Sequence, residues 1–81
     1  MLLDTGHKED RVLDLRGLTC PMPALKTKKA VVSMEPGQTL KVLATDRATL
    51  TDIPALLKRL DAEIIQVEDK DETITFIIKR K

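Results

Sequence analysis

The chain is predicted to fold as an α+β two-layer sandwich, β-α-β-α-β-β, in which a four-stranded mixed sheet carries two helices on one face. Three observations carry this expectation. Four short stretches are rich in strand-forming residues, the first two with clear apolar-polar alternation. Two intervening stretches repeat apolar residues at helical spacing, and Gly17 and Pro36-Gly37 punctuate the pattern.

Residues 11–16, Arg-Val-Leu-Asp-Leu-Arg, alternate Leu13 and Leu15 with Asp14 and Arg16, the period of a half-buried strand. Gly17 breaks that strand and turns the chain toward Cys20. No breaker intervenes between Pro23 and Glu35, and Pro36-Gly37 ends the run as a helix terminus followed by a turn. A first helix is therefore expected from Pro21 to about Glu35, with Ala24, Thr27, Val31 and Met34 toward the core. Residues 39–45 alternate Leu40, Val42 and Ala44 with Lys41, Leu43 and Thr45, a second strand. Leu50, Ile53, Leu57 and Leu60 mark a second helix, with Thr49 or Thr51 as its cap and Pro54 near its first turn. Glu63 to Glu68 and Thr73 to Lys79 read as strands, and the polar link Asp69-Lys70-Asp71-Glu72 is short enough for a hairpin.

Eighty-one residues make one domain, which buries about 60% of its unfolded surface. Residues 1–10 are expected as a flexible N-terminal tail and 11–81 as the domain. His7, the only histidine, reads as a solvated tail residue rather than a base or metal ligand. Charged residues are 33% of the chain, yet the net charge is +1 and Phe76 is the single aromatic. Neither a basic field nor a base-stacking platform is present, so direct nucleic-acid binding is not expected. No apolar run approaches the length of a membrane span and no signal-peptide core is evident, which reads as cytoplasmic. One cysteine excludes an internal disulfide, a Cys-x-x-Cys pair and a cysteine-rich zinc site. No Ser-His-Asp set, phosphate-binding glycine loop or metal-ligand spacing occurs, so no cofactor or metal is expected.

The chemistry then falls to Cys20, in Cys20-Pro21-Met22-Pro23. A β-α-β unit sets its strands parallel, which brings Cys20 to the carboxyl end of the first strand, where ligands gather in α/β folds. Pro21 suits the first helical position because its missing N–H has no intrahelical partner there. Cys20 is then expected at the N-cap, where free N–H groups and the helix dipole favour the thiolate and lower its pKa from about 8.5. The plainer reading, a small cysteine packed in the core, fits poorly between Thr19 and two prolines, because periodic aliphatics fill the core positions. Met22, Leu25 and Val32 fall off the expected core stripe, beside Lys26 and Lys29. Met22, Leu25 and Lys29 are the candidates for partner docking, against the alternative of scattered surface aliphatics and solvated lysines. Arg16 either assists the site or simply pairs with Asp14 at the surface.

Leu13-Asp14-Leu15-Arg16-Gly17-Leu18-Thr19-Cys20-Pro21-Met22-Pro23, with Glu35-Pro36-Gly37, Thr45-Asp46 and Asp52-Ile53-Pro54, resembles the TusA/SirA family of small sulfur-carrier proteins over about residues 11–80. The resemblance implies the β-α-β-α-β-β fold and a cysteine, here Cys20, that carries sulfane sulfur as a persulfide. It implies Arg16, Gly17, Pro21 and Pro23 as the residues that shape its turn. The partners implied are a cysteine desulfurase or other sulfurtransferase as donor and a downstream sulfur-relay protein as acceptor, in some members for tRNA thiolation. Arg47 stands where many members have proline. The expected function is thus sulfur carriage, by a protein that lends sulfur rather than turning over a substrate alone. The alternatives are a non-catalytic regulatory module and a thiol redox sensor.

Overall fold

A computed structural model describes residues 11–81; the expected tail at 1–10 and His7 lie outside the described residues. The elements follow the expected order: β1 (Arg11–Leu15), α1 (Met22–Val32), β2 (Thr39–Ala44), α2 (Thr49–Leu57), β3 (Ala62–Lys70) and β4 (Thr73–Arg80). The strands lie in the order β1-β2-β4-β3. β1 runs parallel to β2, whereas β4 runs antiparallel to both β2 and β3, so the sheet is mixed.

Strand alternation separates core from solvent. Leu40, Val42 and Ala44 of β2 lie opposite Ile78, Phe76 and Ile74 of β4, and all six are buried. Leu15 and Ala62 add the outer strands, and Val31, Met34, Ile53 and Leu57 close the cluster from the helical layer. Burial of such side chains contributes about 1.5–3 kcal/mol each, the main source of stability in a domain this small. Arg80 ties the layers at one end, donating from Nη1 to the carbonyl of Val31 at 2.8 Å, near the end of α1.

Several boundaries differ from the sequence expectation. Of the expected stripe, Thr27, Val31 and Met34 are buried, Met34 just beyond the end of α1, whereas the first core position is taken by Pro23 instead of Ala24. An i, i+4 repeat starting at Pro23 leaves Ala24 half-buried on the flank nearer α2. In α2 the same repeat buries Thr49, Ile53 and Leu57, and Leu50 turns outward at 37% exposure. Leu60 lies past the end of α2 but packs against the core. Neither Thr49 nor Thr51 caps α2. Its N-cap is Ala48, and Thr49 Oγ1 instead donates to the Asp46 carbonyl at 2.7 Å. Pro54 lies inside α2 rather than in its first turn.

The hairpin is tighter than the four-residue link suggested. Asp69 and Lys70 pair with Ile74 and Thr73, which leaves Asp71-Glu72 as a two-residue turn with φ of 53° and 66°. Positive φ at both central residues suits the right-handed twist of the flanking strands, and the short polar side chain of Asp71 tolerates it, whereas Glu72 stands where such turns usually have glycine. A register shift between Ile64 and Gln66 leaves Ile65 as a bulge, 54% exposed.

Thr27 is fully buried and its Oγ1 has no hydrogen-bond partner. A buried hydroxyl without a partner loses its hydration and gains nothing in return. Thr27→Val keeps the shape and removes that atom, and is expected to stabilise the fold by about 1 kcal/mol. The check is a urea midpoint that moves upward with an unchanged slope.

Candidate functional site

β1 and β2 are parallel neighbours with Leu15 opposite Ala44, so the chain leaves both strands at the same edge of the sheet. The two following loops are stitched together there. Gly17 turns with φ of +86°, a left-handed conformation that other residues rarely adopt, and its N–H donates to Thr45 Oγ1 at 2.8 Å. The N–H of Cys20 donates to Asp46 Oδ2 at 2.7 Å, while Asp46 Oδ1 accepts the N–H of Ala48 at 3.0 Å. One carboxylate thus holds both the cysteine loop and the start of α2. The N–H groups of Ala48 and Cys20 stabilise its charge and lower its pKa.

Cys20 is exposed and free, and it is joined to Pro21 by a cis peptide bond. It is not the N-cap. That position belongs to Pro21, α1 starts at Met22, and Pro23 is buried in the first turn. The Met22 N–H is taken by the carbonyl of Thr19 at 2.9 Å, and no side chain caps the helix. The expected thiolate stabilisation is accordingly reversed. A hydrogen bond from the thiol to the Asp52 carboxylate raises the Cys20 pKa, and partial desolvation and the charges of Asp52 and Asp46 add to it. An anion forming beside two carboxylates is disfavoured.

Arg16 pairs with Asp14 at the surface, as one of its two expected readings has it. Its Nε and Nη2 donate to Asp14 Oδ1 and Oδ2 at 2.9 and 2.7 Å, and its backbone N–H donates to Oδ1 at 3.1 Å. These bonds lower the pKa of Asp14 to about 2. The pair braces the end of β1. Arg47 bonds Asp69 of β3 at 3.0 and 2.7 Å, tying the loop after β2 to the far edge of the sheet.

On one side of Cys20 the two helices enclose an open groove of about 580 Å³, lined among others by Cys20, Ala24, Asp52, Leu56 and Arg59. On α1, Met22 and Leu25 are 40% and 55% exposed, and Lys29 is exposed as well. Their i, i+3, i+7 spacing sets the three on one face. No group of three or more His, Cys, Asp or Glu side chains among the described residues is arranged to hold a metal ion.

Sequence reasoning missed what Thr45, Asp46 and Asp52 do. The signal was present in the topology, since residues just past β2 must emerge beside residues just past β1 when those strands are parallel neighbours.

A single cysteine on the loop from β1 to α1, held by the loop after β2, defines a thiol site on an α+β sandwich. The chain belongs to the family described as Sulfurtransferase TusA, whose model matches residues 11–80. It is 40% identical over 73 residues to the putative sulfur carrier protein YrkI of Bacillus subtilis, covering 90% of this chain and 97% of that one. It is 37% identical over 71 residues to the sulfur carrier protein TusA of Allochromatium vinosum, covering 88% and 93%. A putative sulfur carrier protein of Aquifex aeolicus is 44% identical over 73 residues, 89% of this chain but 37% of that longer one. The crystal structure of a SirA-like protein from Desulfitobacterium hafniense superposes with a TM-score of 0.71 at 20% identity, covering 85% of this chain and 93% of that one; at that identity the likeness concerns the fold.

Proposed function

We propose that the protein is a sulfur carrier that accepts sulfane sulfur on Cys20 as a persulfide and passes it to a downstream acceptor protein. The observation that carries this reading is an exposed lone thiol on the loop from β1 to α1 of a TusA family member, held by a backbone hydrogen bond to Asp46 with no second thiol to resolve it. A persulfide is more acidic than its parent thiol. Loading therefore gives an anionic outer sulfur; in delivery the acceptor's thiolate attacks that outer sulfur, the bond between it and Cys20 Sγ breaks, and Cys20 is released as the thiol. The redox-sensor alternative fits less well, because sensor cysteines depend on a lowered pKa and that of Cys20 is raised.

The donor in this reading is a cysteine desulfurase or another sulfurtransferase, and the acceptor is a further protein of a sulfur relay, for tRNA thiolation or another sulfur-transfer pathway. The setting is cytoplasmic, where reducing conditions keep a lone thiol free. No helix among the described residues is long and apolar enough to cross a membrane. Incubation with a sulfur donor followed by mass spectrometry tests the proposal. The expected product carries one additional sulfur on Cys20, removable by reductant; a protein that gains no sulfur is not a carrier.

Partner docking in this reading uses Met22, Leu25 and Lys29, the exposed face of α1 that begins two residues after the sulfur. Leu25→Glu replaces apolar contact area with charge and is expected to weaken transfer from a protein donor by about 1 to 3 kcal/mol. The fold survives, because Leu25 lies outside the core. Sulfur uptake from a small polysulfide serves as the control and is expected to stay unchanged. Equal loss of both activities would assign Leu25 to the site itself instead of to docking.

A further inference from the structure

We propose that Asp52 is the proton relay of Cys20: its carboxylate takes the thiol proton as the sulfur attacks a donor persulfide and returns that proton to the departing donor sulfur. The inference rests on the carrier reading and assigns a chemical part to a residue of α2, an element remote in sequence from the cysteine motif.

The geometry supports it from two sides. Cys20 and Asp52 line the same groove between the helices, and of the two carboxylates near the sulfur Asp52 acts on it most strongly, as the acceptor side of the thiol. The other nearby carboxylate is committed elsewhere, since Asp46 accepts the backbone N–H groups of Cys20 and Ala48 through its two oxygens. Asp46 therefore positions the loop, and Asp52 is the acceptor that faces the S–H.

The electrostatics point the same way. The charged groups around the sulfur are Asp46 on the loop after β2, Asp52 on α2, and Lys58 and Arg59 at the far side of the groove. The two carboxylates disfavour the thiolate, so a route in which the proton leaves as the new bond forms avoids building a free anion beside them. In the balanced step, Cys20 Sγ bonds to the outer sulfur of a donor R–S–SH and the donor S–S bond breaks. The R–S group departs as a thiolate, and the proton that moved from Sγ to Asp52 converts it to R–SH. The products are Cys20 persulfide and the donor thiol, with no net oxidation and no further reactant. A carboxylate within hydrogen-bond reach of the proton is suited to this exchange.

The test compares the pH dependence of two reactions, alkylation by iodoacetamide and sulfur loading from glutathione persulfide, in the wild type and in Asp52→Asn. Alkylation reports the thiolate alone. Its midpoint is expected to move to lower pH in Asp52→Asn, with the neutral-pH rate rising roughly three- to tenfold, because a neighbouring negative charge has been removed. Loading is expected to behave in the opposite sense. The wild type, with its relay intact, loads with little dependence on pH below the thiol pKa. Asp52→Asn follows the thiolate population and slows about tenfold per pH unit, falling well below the wild type by about pH 6. Asp52→Glu, which restores a carboxylate, is expected to recover the shallow profile.

Wild-type loading that rises in step with its own thiolate overturns the relay, and this measurement needs no variant to fold. Identical loading profiles in wild type and Asp52→Asn overturn it as well. A wild type that alkylates normally but takes up no sulfur overturns the carrier reading itself, and the relay falls with it.

Discussion

Cys20→Ser is expected to fold as the wild type does and to accept no sulfur at all. The side chain is exposed, and the loop around it is held by backbone donors: the Cys20 N–H on Asp46, the Gly17 N–H on Thr45 and the Met22 N–H on the Thr19 carbonyl. None of these bonds uses the sulfur, so exchanging sulfur for oxygen leaves the scaffold intact and stability within about 0.5 kcal/mol, the usual range for surface substitutions. The chemistry is lost because a serine hydroxyl cannot take up and release sulfane sulfur by thiolate exchange. Circular dichroism and urea unfolding check the first half, and mass spectrometry after incubation with a sulfur donor checks the second. Labelled sulfur still accepted and delivered by Cys20→Ser would sink the assignment of the carrier thiol.

Phe76→Ala is expected to produce the opposite result, with the fold lost while the site chemistry is nominally untouched. Phe76 is fully buried on β4, which pairs with β2 on one side and β3 on the other, and it lies directly across from Val42. Truncating a buried phenylalanine removes its transfer free energy and leaves a cavity that close-packed neighbours fill only in part, at a cost of about 3–5 kcal/mol. A domain typically has only 5–15 kcal/mol of net stability in total, and small domains lie toward the low end. The urea midpoint is expected to collapse, with a substantial unfolded fraction even without denaturant. A midpoint shift corresponding to less than about 1 kcal/mol would mean that the interior repacks around the missing ring.

These variants separate what holds the sandwich from what carries the sulfur, and the two were not equally legible in the sequence. Leu40, Val42 and Ala44 could be assigned to one sheet face because strand side chains alternate strictly, and the buried register with Ile78, Phe76 and Ile74 follows that alternation. The helices were legible as elements but less so in their facing. Thr27, Val31 and Met34, and Ile53 and Leu57, are buried as the spacing predicts, but at 100° per residue the first turn admits either of two neighbours, and Pro23 and Thr49 take the core positions expected for Ala24 and Leu50. The hairpin was legible in kind but not in length, since polar Asp69 and Lys70 look like loop and are recruited into strands by pairing with Ile74 and Thr73.

By itself the sequence determined the order of elements, the layer architecture, the family and the single thiol, because each depends on local periodicity, on turn residues, on a short motif or on composition. The tertiary structure alone decided the electrostatic character of that thiol. A helix N-terminus, read locally, lowers a thiol pKa, but the parallel pairing of β1 with β2 brings Asp46 to the loop, and α2 delivers Asp52 to the sulfur. Both carboxylates are more than twenty residues from Cys20 along the chain. Charge interactions fall with distance through space rather than along the chain, so no reading of neighbouring residues reveals which way the proton is held.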